Sequence, residues 1–280
     1  MAEAGFTILL MAIVPVIIKG LSANPYTIGL CRLGMAVVFG FFVLRVPRYA
    51  GQLTGRQWGV LAIIGLIFGG HWLTYFIAIK TATPSIAVLG TSSYGIHLIG
   101  LGWLFLGRKP GPIDAVAVIL AVIGNLLVIP EFSFSNTTTP GLLWGILSGF
   151  LFALLPVLHQ RNTDIPNNLR TFGQFLFALP VFLIFLPQAN WDLSAMEWTG
   201  MVYLGIGGTL LAHSLWVRVT TRLNPAVSSL VLYMLTPTTM VLSFFFLDEA
   251  MPWQKVAGAA LIVGANLSGI IARWRKGSLD

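Results

Sequence analysis

At 280 residues, with 56% hydrophobic and only 9% charged side chains, the chain departs from soluble domains, which carry about 25% charged residues. That balance excludes a soluble enzyme or binding module and points to a chain solvated by lipid. The net charge of +7 invites a nucleic-acid reading, but the basic residues gather at the ends of apolar runs, where membrane orientation explains them and no nucleic-acid partner is implied.

A bilayer core about 30 Å thick takes about 20 apolar residues per helical crossing. Ten such runs follow one another along the chain: 5–21, 25–46, 58–80, 85–107, 113–130, 141–160, 169–187, 199–219, 225–247 and 253–272. The alternating pattern of a membrane barrel does not occur. The expected fold is therefore an all-α membrane protein with ten transmembrane helices. The first run lacks a basic flank before it and a small-residue cleavage pattern after it, so it reads as a span rather than a secretion signal. Cys31 is the only cysteine, which leaves no disulfide within the chain and no thiolate metal cluster.

With the N-terminus in the cytoplasm, twelve basic residues, Arg45, Arg48, Arg56, Arg108 and Lys109 among them, fall on the cytoplasmic side. Lys19, Lys80 and Lys255 fall on the other, and Arg32 lies within a span. The excess of positive charge inside places both termini in the cytoplasm.

Laying Pro15 over Pro156 and carrying that register along the chain overlays its halves without a gap: Pro25 meets Pro166, Gly59 meets Gly200, Pro84 meets Pro225 and Asn125 meets Asn266. Three of the seven prolines before residue 139 find a proline, where chance gives about 0.4. The chain reads as two units, 1–135 and 136–280, integrated into one membrane domain. Each unit holds five spans, an odd number, so the second enters the membrane from the opposite side and the repeats are inverted. Inverted repeats are the common build of secondary transporters, because two similar halves can exchange shapes around one central site.

Arg32 in GLCRLGMAVV, the proline-led segments TATPSIAVL and RLNPAVSSL, and the closing LDEAMPWQKVAGAALIVGANL resemble the EamA-type members of the drug/metabolite transporter superfamily. The first-half counterpart of that last segment, LGRKPGPIDAVAVILAVIGNL, carries Arg108 where the pattern has the glutamate seen as Glu249. Within the superfamily the chain is similar to bacterial exporters of aromatic amino acids. The resemblance implies a multi-pass protein of the bacterial inner (cytoplasmic) membrane that exports aromatic amino acids and related metabolites or drugs through a cavity between its halves.

Polar groups at mid-depth are few: His71, His97 and His213. Ionisable groups inside a membrane are costly and usually face the bundle interior or a wet cavity. A repeat of 3.6 residues puts Tyr75 on the face of His71, Tyr94 on that of His97 and Trp216 on that of His213. With Trp72 beside His71 and Tyr233 in the ninth run, these form the candidate substrate-binding set, suited to stacking on an aromatic solute. For any single pair, plain packing is the competing interpretation. Arg32 lies seven residues beyond Pro25, about 10 Å along a helix, which favours snorkelling or bonding to helix-end carbonyls over a substrate carboxylate. All nine acids sit at span ends, in loops or at termini. A substrate ammonium would find no buried anion, and coupling would run down a gradient or through a histidine.

Pro15, Pro156 and Pro237 are candidate hinges, and the GxxxG pair Gly65 and Gly69 a candidate close-packing site. The histidines show no metal spacing, and no catalytic residue, metal or cofactor is expected. The expected partners are a small-molecule substrate and the lipid bilayer, with the chain a monomer or weak homodimer. Two rivals stand beside the exporter: another carrier of the superfamily, such as one for nucleotide sugars, and a membrane-embedded enzyme built on Asp248 and Glu249.

Overall fold

The computed structural model describes residues 2–109, 111–127 and 137–275. Within them all regular structure is helical: α1 (Ala2–Gly20), α2 (Pro25–Val43), α3 (Val46–Tyr49), α4 (Gly55–Thr81), α5 (Pro84–Thr91), α6 (Tyr94–Leu106), α7 (Pro112–Leu127), α8 (Thr138–Arg161), α9 (Asn167–Leu183), α10 (Ala195–Gly205), α11 (Ala212–Arg222), α12 (Pro225–Tyr233), α13 (Leu235–Leu247) and α14 (Trp253–Arg275). Taking α5–α6, α10–α11 and α12–α13 as single broken units, seven helical units among the described residues are long and apolar enough to cross a membrane. Helices α7, α9 and α14 occupy the remaining expected runs. The expected boundary at 135/136 lies outside the described residues.

Local chemistry sets the helix starts. Asn24 accepts from the amides of Tyr26 and Thr27 at 3.1 and 3.0 Å, and Pro25 fills the first turn, where its missing N–H costs nothing. Thr54 with Gln57, and Ser194 with Glu197, form reciprocal capping boxes. The helical units that these caps open end at Thr81 and Arg222, and the second unit is longer than the first by a single residue. The extra residue is at the start of the second unit, which also contains a π-helical stretch, Ile206–Leu211.

The fourth and ninth expected runs break at corresponding places, between α5 and α6 at Ser92–Ser93 and between α12 and α13 at Met234. Pro237 is thus the third residue of a new helix rather than a kink within a continuous one, while Pro15 and Pro156 lie inside α1 and α8. Helices α6 and α13 both close in the left-handed conformation, at Gly107 (φ 67°) and Asp248 (φ 52°). Aspartate tolerates that region better than most side chains.

Helix α4 packs against α8 and α9, α1 against α11 and α13, α5 and α6 against α8, and α7 against α14. A Cβ at Gly65 would stand 2.4 Å from that of Phe177, and one at Gly69 would stand 2.7 Å from the Val181 side chain. The absent side chains are what let α4 and α9 meet. Outward, Phe42, Leu104, Phe246 and Trp253 are largely exposed, an apolar surface that lipid would cover.

Candidate functional site

A small cavity of about 40 Å³ lies where α1, α2, α4, α8, the π-helical stretch, α11 and the α12–α13 break converge. Its walls include Arg32, His71, Trp72, Tyr75, Phe152 and His213. All six are buried, Tyr75 being the most accessible of them at 8%. Its volume holds about two or three waters, far below the roughly 300–1,000 Å³ of a small-molecule site. The site is contracted, and a solute would require its walls to part.

Arg32 points into the bundle and is 1% exposed, so of its two expected roles snorkelling is overturned, and the backbone carbonyl it does meet lies in the π-helical stretch. Its Nε donates to Thr209 Oγ1 at 2.9 Å and its Nη2 to the Gly208 carbonyl at 3.1 Å. Both partners belong to the π-helical stretch, where the longer hydrogen-bond register changes which backbone groups are available. The guanidinium carbon sits 4.0 Å from the centroid of Trp72 and 5.2 Å from that of Phe76, so the charge rests on ring faces. The ion pairs among the described residues, Arg218–Glu3 and Lys255–Glu249, do not include it.

His71 Nδ1 lies 3.0 Å from the Ser148 carbonyl and 2.7 Å from Ser148 Oγ. A carbonyl only accepts, so Nδ1 carries a proton. Ser148 Oγ in turn donates to the His71 carbonyl at 3.1 Å. The imidazole stacks on Phe152 at 4.4 Å and 6° and lies nearly parallel to Tyr75 at 6.0 Å and 16°. Phe152 continues the chain of rings to Tyr94 and Trp216 at 5.0 and 6.2 Å. On the other flank His213 meets Phe68 and Trp72 edge-on at 4.9 and 5.4 Å.

Several polar atoms in this cluster are buried without a hydrogen-bond partner: His213 Nδ1, Tyr94 Oη and Trp216 Nε1. Most buried polar groups are satisfied; of these three only His213 lines the cavity, where its Nδ1 is open to a polar group that enters.

Of the sequence-predicted residues, His71, Trp72, Tyr75 and His213 line the cavity. Tyr94 and Trp216 stand behind Phe152 as a second layer. His97 and Tyr233 lie elsewhere: His97 packs on Phe150 at 5.4 Å, and Tyr233 belongs to a separate core with Val118, Ile262 and Ala265. Sequence reasoning missed Phe152, whose apolar surroundings give it no mark, and the π-helical stretch, whose trace is the glycine pair in GIGGTLL. Glu249 is taken up by Lys255 at 2.8 Å and Thr83 at 3.0 Å. Among the described residues no group of His, Cys, Asp or Glu is placed to hold a metal.

Comparison with known proteins gives a consistent picture. The profile of the EamA-like transporter family matches residues 5–129 and again 139–267. The uncharacterized transporter YetK of Bacillus subtilis (strain 168) is 25% identical over 259 residues, covering 88% of this chain and 78% of its own length. A probable biotin transporter of Pseudomonas aeruginosa is 22% identical over 83% of this chain and 84% of its length. Human solute carrier family 35 member G1 is 20% identical over 89% and 71%. One crystal structure superposes with a TM-score of 0.77 over 97% of this chain and 96% of that one at 20% identity, a shared fold.

Proposed function

The chain belongs to the EamA-like transporter family of membrane transporters, and from that premise we propose that it exports aromatic amino acids and related small metabolites or drugs by alternating access. The observation that carries the substrate class is the buried cavity walled by Trp72, Tyr75, Phe152, His71 and His213. Ring faces at stacking distance favour a planar solute by about 0.5–1.5 kcal/mol per aromatic contact beyond area burial. The reading includes ten spans in two inverted five-helix units, set in the bacterial inner membrane with both termini cytoplasmic. The double family match and the corresponding breaks in α5–α6 and α12–α13 support it.

The small volume and buried walls of the cavity suit a contracted state between forms open to either side. Widening it requires α4 and α8, which carry His71 and Phe152, to move apart from the α2 and π-helical wall. The enzyme alternative has less support, because Glu249 is held in an ion pair with Lys255 rather than presented to a cavity.

The test is flux. Purified protein in liposomes loaded with labelled phenylalanine or tryptophan should release it faster than protein-free vesicles, with saturation. Release that matches the protein-free vesicles for every aromatic solute tried would sink the proposal.

A further inference from the structure

We propose that Arg32 is the anion-binding element of the central site, and that its preferred cargo is a planar organic carboxylate lacking an ammonium group. The inference rests on the transport reading and shifts its preferred cargo from the amino acids to the related metabolites that carry no ammonium group.

The first ground is the state of the arginine. A guanidinium has five N–H donors. Two are used, on Thr209 and Gly208, and no other partner is seen among the described residues. A buried cation without a counter-ion is strongly unfavourable. Faces of Trp72 and Phe76 return only part of that. Unused donors and uncompensated charge therefore meet the same cavity. A carboxylate supplies the missing charge and accepts two parallel N–H bonds from the planar fork.

The second ground is what the cavity lacks. No aspartate or glutamate lines it, so a cationic amine entering the site meets Arg32 as a like charge and no anion as partner. In a zwitterion the two effects oppose each other. His213 Nδ1, buried and unpartnered, is a further polar contact that suits either an acceptor or a donor on the solute and does not demand a positive charge. The rings that hold the planar part surround the same space, so one molecule can satisfy Arg32 at one end and stack at the other.

A matched series separates the possibilities: phenylpropanoate, phenylalanine and phenylethylamine share one ring and differ in charge. Binding is read as the shift in thermal unfolding midpoint of the purified full-length protein at increasing concentration. Flux is read in proteoliposomes after subtraction of the protein-free rate. Phenylpropanoate is expected to bind most tightly, about tenfold to a hundredfold above phenylethylamine given the strength of charge-assisted bonds, with phenylalanine between. Arg32→Gln should collapse that ranking, and Arg32→Lys should restore part of it. If either variant fails to fold, the ranking on the unaltered protein still decides. An equal response to all three compounds, or a preference for the amine, overturns the anion proposal and leaves aromatic transport standing. Silence with all three removes the aromatic-transport reading and this proposal together.

Discussion

At the level of single side chains, the site is defined by how few alternatives each group has. His71 is fixed by Ser148 and stacked on Phe152, so the wall it forms depends on Phe152 as much as on itself. Replacing Tyr75 or Phe152 by alanine should lower aromatic flux about tenfold, the equivalent of about 1.4 kcal/mol, measured as initial release from proteoliposomes. Unchanged release in both variants would remove these rings from the path. The pairing of His71 with Tyr75 was legible because residues four apart share a helix face. The pairing of Tyr94 with His97 was not realised. Three residues turn a helix by about 300°, leaving about 60° between side chains, enough to put Tyr94 behind Phe152 and His97 on the flank with Phe150. Arg32 was misjudged because distance from a helix end does not tell which way a long side chain turns; its partners Gly208 and Thr209 belong to the other half of the chain.

Among the helices, the decisive feature is the π-helical stretch, Ile206–Leu211. The π-helical stretch presents both Gly208 and Thr209 to Arg32, and Thr209 Oγ1 donates back to the Leu204 carbonyl at 2.6 Å. Deleting Ile206 should convert the stretch to regular α-helix with the flanking turns kept in register, which withdraws the Gly208 carbonyl and the Thr209 hydroxyl from Arg32. The expected result is loss of ligand-induced thermal stabilisation while circular dichroism still reports a helical protein; retained stabilisation would separate the π-helical stretch from the site. Close crossings give a second prediction. A Cβ at Gly145 would stand 2.9 Å from the Ala87 carbonyl, and one at Gly90 would stand 2.6 Å from that of Leu142. Gly145→Ala and Gly90→Ala should each destabilise by about 1–3 kcal/mol through overpacking, seen as a lower unfolding midpoint. Hydrophobic run length was enough to find these helices. The breaks at Ser92–Ser93 and Met234 and the π-helical stretch leave the hydrophobic runs uninterrupted, so run length cannot carry them.

For the whole molecule, two tethers occupy corresponding places in the two halves. Lys19 donates to the carbonyls of Ile79 and Ala82, while Gln160 donates to those of Thr220 and Leu223. In the register that lays Pro15 over Pro156, Lys19 falls on Gln160, Ile79 on Thr220 and Ala82 on Leu223. In an inverted arrangement these tethers sit at opposite membrane faces and hold the end of each half's third span to its first. With Cys31 replaced by serine and a cysteine placed at Leu232 on the cavity wall, Lys19→Ala should raise labelling by an impermeant thiol reagent from one side of the membrane. Gln160→Ala should raise it from the other. Enhanced labelling from the same side in both variants would contradict the inverted arrangement.

The smallness of the central cavity bears on the membrane as an insulator. A space for a few waters, ringed by buried side chains, is too narrow at this level for a wide water-filled pore. On the proposed alternating-access reading, a bilayer carrying the protein in this conformation is expected to hold its ion gradients, and passage is counted in turnovers, each needing the helices to separate on the one side and reseal before the other parts.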